Sequence, residues 1–372
     1  MRRLFYQLVL PLGVLILVAI VAIPRWPGSQ AGPAPTAPPE AGTTLPDPSA
    51  STTPGTPPSS SIATTTTIPE IAVTFAAGGD LGATELTAEV LAAVKASAAQ
   101  FMLALGDLSY NQIKPESAWC DWVHEQLGQE IPMEVLVGNH EDDGGPDGLI
   151  GNFSACMPDH MRSTGAYGVQ YFFDVDDAVR VIMLAADTRV DGEKYNYEPG
   201  SDQEKWLVDA IREARRSGTR WVVVGTHKPC LTVGEKECES GEHLAQLLID
   251  EGVDLVLYGH DHNYQRTHQL SCVTVDSFDP ACVANDTDDL VAGAGTVFVV
   301  AGVTGKTSLY KVDANDSEAP YFAAFLGPGE PDPGHGYVEV AVTQDLLEMR
   351  FVGVTTPFED GFRVRYRSRL TR

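Results

Sequence analysis

Five short runs of β-branched and other apolar residues recur along the chain, and each ends on a polar residue. Ile71-Ala-Val-Thr-Phe-Ala-Ala leads into Gly78-Gly79-Asp80, and Phe101-Met-Leu-Ala-Leu into Gly106-Asp107. Met133-Glu-Val-Leu-Val leads into Gly138-Asn139-His140, Trp221-Val-Val-Val into Gly225-Thr226-His227, and Asp254-Leu-Val-Leu-Tyr into Gly259-His260. Near-continuous apolar runs of this length predict strands buried on both faces. Helical patterns fall between them, at residues 85–98, 117–127, 202–216 and 244–249. In the third, Trp206, Leu207, Ala210, Ile211 and Ala214 form one apolar stripe. Ser201 with Glu204 predicts a capping box there, and Gly218 a stop. Further strands are expected at 171–174, 179–184, 296–300, 337–342 and 347–354, the last two as a hairpin. Strand–helix alternation at intervals of about 30 residues is the βαβ signature. Late antiparallel strands imply a second sheet. The expected fold is therefore α/β (α+β), two packed sheets with helices outside.

Upstream, the pattern changes. Twenty uncharged residues, Leu4 to Ile23, follow Arg2 and Arg3 and precede Arg25. As a helix they would span about 30 Å, one bilayer core, with the N-terminus inside. Residues 1–23 are expected to be an uncleaved membrane anchor, with a cleaved signal sequence as the alternative. Residues 24–69 hold 12 Pro and 16 Ser or Thr. Such a stretch buries too little apolar area to offset its chain entropy and predicts an extended, disordered stalk. Residues 70–372 would be the globular, catalytic part, placed outside the cytoplasm on this reading, or secreted if the signal is cleaved. At 43% apolar and 20% charged residues, whole-chain disorder and collagen are excluded.

Formal charge is −26 over 372 residues. Residues 1–69 carry a net +1, which leaves −27 for the remainder. A surface so negative repels nucleic acid and anionic lipid, so no nucleic-acid partner is expected and the membrane is met only through the N-terminal segment. An anionic substrate would need local positive charge, which a bound metal could supply. Six cysteines in no CxxC spacing read as disulfides. Of fifteen possible connectivities the simplest joins Cys120 to Cys156, Cys230 to Cys238 and Cys272 to Cys282.

Ligands bind at the carboxyl ends of strands in open α/β sheets. The five endings present Asp80, Asp107, Asn139 with His140, His227, and His260-x-His262, and Tyr110 follows Asp107 by three residues. Setting His140 aside, two carboxylates, one amide, three imidazoles and a phenol converge at one rim. If one carboxylate bridges, two ions fit about 3.5–4 Å apart. Mixed oxygen and nitrogen donors suit iron, manganese or zinc. Glycine ahead of most ligands is expected to let the backbone turn sharply.

Gly79-Asp80-Leu81-Gly82, Gly106-Asp107-Leu108-Ser109-Tyr110, Gly138-Asn139-His140-Glu141, Val224-Gly-Thr-His227 and Gly259-His260-Asp261-His262 resemble the five blocks of calcineurin-type metallophosphoesterases. Tyr110, Gln203-x-x-Trp206-Leu207 and His262-x-Tyr264-x-Arg266 resemble the purple acid phosphatase branch. The resemblance implies a four-layer αββα fold over residues 71–355. It implies an Fe(3+) site of Asp80, bridging Asp107, Tyr110 and His262, beside a divalent Fe, Zn or Mn site of Asp107, Asn139, His227 and His260. His140 would act on the substrate phosphate, as catalytic residue and contact. Two departures stand out: between His227 and His260 the only histidine is His243, where further substrate-contacting histidines are usual, and Gln265 stands where Glu is usual.

The expected chemistry is attack of a metal-activated hydroxide on a small phosphate monoester, with His140 holding the transition state or protonating the leaving group. A phosphodiesterase acting on nucleotides or lipid head groups with the same metals is the enzymatic alternative, and a stalked binding module the non-enzymatic one. Arg266 is expected to pair with Asp261 or with phosphate. Arg266 and His243 are the remaining candidate substrate contacts. Gly302-Val-Thr-Gly305-Lys306-Thr307 lacks the first glycine of a phosphate loop and reads as a strand-end turn. Asp191, Tyr195 and Tyr197 read as part of a solvated loop.

Overall fold

Along the strand Trp221–Thr226, successive side chains enter two different cores. Val222 and Val224 share one with Leu207, Ala210 and Ile211 of the helix Asp202–Ser217 and with Leu244 and Leu248 of the helix Glu242–Asp250. Val223 shares the other with Leu255, Val297, Val338 and Val340. A pleated strand turns alternate side chains to opposite faces, so a strand that is apolar throughout is one covered on both sides.

The computed structural model describes residues 73–331 and 333–366. The anchor and stalk expected over residues 1–69 lie outside the described residues. Among the described residues, no helix is long and apolar enough to cross a membrane. Two mixed sheets form the body. The first runs Asp289–Val291, Glu359–Arg365, Leu346–Gly353, Gly336–Val342, Val73–Gly78, Met102–Ala104, Met133–Val135. The second runs Phe322–Leu326, Tyr264–Thr267, Val297–Ala301, Leu255–Tyr258, Trp221–Thr226, Val179–Leu184, Gln170–Val175, Thr164–Ala166. Gly336–Val342 and Leu346–Gly353 pair antiparallel, as the expected hairpin requires. Helices Glu85–Ala96 and Glu116–Leu127 add Val90, Leu91, Val94, Trp119 and Val123 to the core of the first sheet. The layers are thus helix, sheet, sheet, helix.

The five runs divide between the sheets. Val73–Gly78, Met102–Ala104 and Met133–Val135 lie parallel in the first, and Trp221–Thr226 and Leu255–Tyr258 lie parallel in the second. Ser201 caps its helix by accepting the Glu204 N–H at 3.0 Å, and Gly218 ends it in the left-handed region at φ 94°. The Glu204 carboxylate bonds the Gly200 N–H and His243 instead of the cap backbone. The segment ahead of that helix is more ordered than a solvated loop: Thr188–Val190 pairs with Glu193–Tyr195, and Tyr197 is buried with its hydroxyl 2.8 Å from Gln170 Oε1. Disulfides join Cys120 to Cys156, Cys230 to Cys238 and Cys272 to Cys282.

One buried acid gives a stability prediction. Glu134 sits fully buried in the strand Met133–Val135, with Oε1 accepting the His160 N–H at 3.3 Å and Oε2 without a partner. Burial, and then the Asp159 carboxylate, push it from 4.5 to about 7. A raised carboxyl favours the folded state fully below its unfolded value, and that contribution is lost as pH rises through the folded one. Glu134→Gln should match the parent at pH 4 and exceed it at pH 8 by up to about 3 kcal/mol. Denaturant unfolding at the two values checks this, and a gap that does not widen with pH contradicts it.

Candidate metal centre

The strand ends of the two sheets meet closely enough that side chains would obstruct them. A Cβ on Gly79 would stand 3.0 Å from Gly259 Cα, and one on Gly138 would stand 2.2 Å from Asp107 Oδ1. The glycines ahead of the candidate ligands therefore provide room. The sharp turns expected of them fall mostly on the ligands themselves. Asp80, Asp107, Tyr110 and His260 have φ of 60°, 53°, 46° and 68°. Non-glycine residues in the left-handed region cost energy and persist where the surroundings over-determine them, as they do at functional sites.

Seven side chains converge in two groups. In the first, the Tyr110 hydroxyl lies 2.8 Å from Asp80 Oδ1, 2.9 Å from Asp107 Oδ2 and 3.2 Å from His262 Nε2. In the second, His227 Nε2 lies 3.2 Å from Asp107 Oδ1, 3.1 Å from Asn139 Oδ1 and 3.1 Å from His260 Nδ1. Asp107 thus turns one oxygen to each group.

The far nitrogen of each imidazole sits on an oxygen. His227 Nδ1 donates to the Leu105 carbonyl at 2.7 Å, His262 Nδ1 to the Ser308 carbonyl at 2.9 Å, and His260 Nε2 to Glu239 Oε1 at 2.9 Å. Those bonds select the tautomer and aim a lone pair from all three rings into the cluster. Lone pairs this close repel unless a cation or proton lies between them. Burial alone would lower His227, but Asp107 outweighs it and lifts the imidazole to about 9, while Asp107 is held well below the usual carboxylate range. One proton relieves one group only. The chemistry of the donor set fits two cations.

Residues 74–264, just over half of the chain, match the family model described as calcineurin-like phosphoesterase. The chain belongs to the calcineurin-like phosphoesterase family. Purple acid phosphatase 21 of Arabidopsis thaliana is 32% identical over 205 residues, covering 52% of this chain and 45% of that protein. Probable purple acid phosphatase 20 of the same plant is 33% identical over 219 residues, covering 56% and 48%. Over these stretches the chain is similar to purple acid phosphatases. The chain spans about half the length of the curated relatives it matches. Among solved structures, a purple acid phosphatase from yellow lupin seeds superposes with a TM-score of 0.62 at 17% identity, covering 80% of this chain and 54% of that one. That likeness bears on the fold.

His140 lies beside the cluster, its side chain about a quarter exposed. Its backbone N–H donates to Asp107 Oδ1 at 3.1 Å, Nε2 stands 3.6 Å from Asp107 Oδ2, and Nδ1 contacts the Asp147 carboxylate. Two candidate substrate contacts are elsewhere. Arg266 is buried, with Nε and Nη2 on the two oxygens of Asp360 at 2.7 Å each and Nη2 on Asp288 at 3.0 Å. A buried guanidinium needs such partners, and it pairs with neither Asp261 nor the cluster. His243 bonds Glu204 at 2.8 Å and touches no member of the cluster.

Sequence reasoning misses the residues that support the cluster. Glu141 accepts the N–H groups of Asp107, Leu108 and Gly138 at 3.0, 2.8 and 3.2 Å, tying two strand ends together. Its place directly after Asn139-His140 is the available signal, but with Asp142 and Asp143 behind it the stretch reads as a solvated loop. Glu239 follows Cys238 in no motif. Its bond to His260 draws its carboxyl down to about 2, and Lys228 Nζ lies 3.2 Å from Oε2. Removing such an outer partner typically costs about 10–100-fold in metal affinity. Glu239→Ala should therefore weaken the His227–His260 cation site by that amount and spare the Tyr110 site. Competitive metal titration separates the two, and equal loss at both would contradict the assignment.

Proposed function

We propose that this chain is an extracytoplasmic phosphatase hydrolysing small phosphate monoesters at a dinuclear metal centre. Asp80, Asp107, Tyr110 and His262 would hold Fe(3+). Asp107, Asn139, His227 and His260 would hold a divalent Fe, Zn or Mn. The observation that carries this reading is Asp107, whose two oxygens face two separate donor groups, each completed by imidazole. Three disulfides support an oxidising compartment.

Bound cations would neutralise phosphoryl oxygens and supply a water acidic enough to react near neutral pH. The chain's own groups do the rest. His140, steadied through Nδ1 by Asp147, presents Nε2 to the leaving oxygen and gives it a proton. Glu141 keeps the loops of Asp107 and Asn139 in register. The glycines at 79, 138 and 259 let the strand ends that carry the ligands pack closely against one another.

The deciding experiment measures metal content, visible spectrum and hydrolysis of p-nitrophenyl phosphate and bis(p-nitrophenyl) phosphate by the full chain. About two cations per chain, a visible charge-transfer band lost in Tyr110→Phe, and faster monoester turnover are expected. Metal-loaded protein that hydrolyses neither ester sinks the reading, and faster diester turnover replaces the monoester assignment.

A further inference from the structure

The turn after the strand Val297–Ala301 brings a lysine to the candidate centre. Its backbone is pinned on several sides. Thr304 N–H donates to the Gly79 carbonyl at 3.3 Å, and Lys306 N–H to the Asp80 carbonyl at 2.9 Å. His335 Nε2 lies 3.0 Å from the Lys306 carbonyl, and Thr84 Oγ1 donates to the Gly305 carbonyl at 3.0 Å. A Cβ on Gly305 would fall 1.9 Å from Thr87 Oγ1, so this turn seats against its neighbours only with glycine there. The side chain reaches back over the site: Lys306 Nζ stands 3.4 Å from the centre of the Tyr110 ring. The other face of this corner is His140, whose ring centre is 4.5 Å from that of Tyr110.

Lys194, Lys205 and Lys228 have carboxylate partners. Lys306 has no ion pair, which it shares with Lys95, Lys114, Lys236 and Lys311 among the described residues; what sets it apart is its place on the Tyr110 ring. In a molecule with a formal charge of −26, this ammonium rests on a ring whose hydroxyl bonds the buried Asp80 and Asp107, yet it has no ion pair of its own. An ammonium over an aromatic face gains part of its stabilisation from the ring and keeps its donors for a second ligand.

We propose that Lys306 is a specificity-determining residue that receives the additional negative charge a phosphate monoester carries and a diester lacks. This rests on the phosphatase reading above and gives it a reason to favour monoesters. A monoester is mainly a dianion above a second pKa of about 6, whereas a diester remains a monoanion. A fixed cation beside the phosphoryl group favours the first over the second by Coulomb attraction in a partly desolvated site.

The test uses the metal-loaded full chain as parent, Lys306→Met and Lys306→Arg, at about pH 7.5, where the monoester is mainly dianionic. Methionine keeps an apolar stem over Tyr110 and removes the charge. The readouts are kcat/KM for p-nitrophenyl phosphate and for bis(p-nitrophenyl) phosphate, and the Kd of inorganic phosphate by calorimetry, with metal content as control. Both esters release the same group, so any effect of Lys306 on the leaving group cancels in their ratio. In Lys306→Met the monoester/diester ratio should fall about tenfold and phosphate should bind about tenfold more weakly, while Lys306→Arg keeps both near the parent. An unchanged ratio overturns the proposal, whether the two rates hold or drop together, because a packing role alone would affect both esters alike. A parent that hydrolyses neither ester refutes the phosphatase reading instead. The phosphate Kd then decides for Lys306: equal values in parent and Lys306→Met overturn it, and weaker binding in the variant upholds it.

Discussion

Asp107→Ala should leave the protein unable to retain either cation and lower turnover by about a thousandfold or more, the equivalent of several kcal/mol of charge stabilisation. No other residue in the centre has an oxygen in both donor groups, Oδ2 by Tyr110 and Oδ1 by His227. Oδ1 also accepts the His140 N–H, so the substitution loosens the partly exposed His140 as well. The fold itself should survive. Asp107 sits in the left-handed region with His227 Nε2 3.2 Å from its Oδ1, a buried pairing that favours its charged form. Asp107→Asn keeps the shape, tolerates the same backbone and removes one negative charge. Because the buried His227 outweighs desolvation and holds the Asp107 carboxyl below its usual range, the metal-free variant should unfold more easily than the parent at neutral pH. Elemental analysis with steady-state kinetics tests the first expectation and denaturant unfolding the second. Two retained cations in Asp107→Ala would refute the bridging role.

The legibility of this chain follows the range of the interactions. Strands such as Trp221–Thr226 are visible in the sequence because both of their faces are covered, which leaves an unbroken apolar run. The helix Asp202–Ser217 carries its own start and stop in Ser201 and Gly218. The candidate ligands are visible because each lies within a few residues of the end of such a run. What surrounds them obeys no spacing. Glu239 meets His260 across 21 positions, and Lys306 meets Tyr110 from a turn on the other sheet. Arg266 finds Asp360 across 94 positions, and a buried guanidinium and a free phosphate contact look identical in sequence. The glycines are conspicuous in the sequence, where backbone freedom is the natural explanation for them. At Gly138 the constraint is instead the space taken by Asp107, a contact between two strands that neither run reveals alone.

His140→Ala is the sharper test of chemistry, because it should separate catalysis from metal binding. The His140 side chain belongs to neither donor group; its backbone N–H donates to Asp107 Oδ1 and its Nε2 stands 3.6 Å from Oδ2. Metal content and visible spectrum should therefore match the parent. Turnover of alkyl phosphates should fall by about 10²–10⁴-fold, the usual range for loss of a positioned general acid. For p-nitrophenyl phosphate the fall should be far smaller, since that leaving group departs without a proton. Asp147 contacts His140 Nδ1 and so selects which nitrogen faces the substrate. Asp147→Asn should reproduce the leaving-group dependence in weaker form while the imidazole stays in place. A plot of log kcat against leaving-group pKa distinguishes proton transfer from binding. Steepening in both variants assigns the proton to His140 Nε2, whereas parallel lines displaced downward would make His140 a binding contact that transfers nothing.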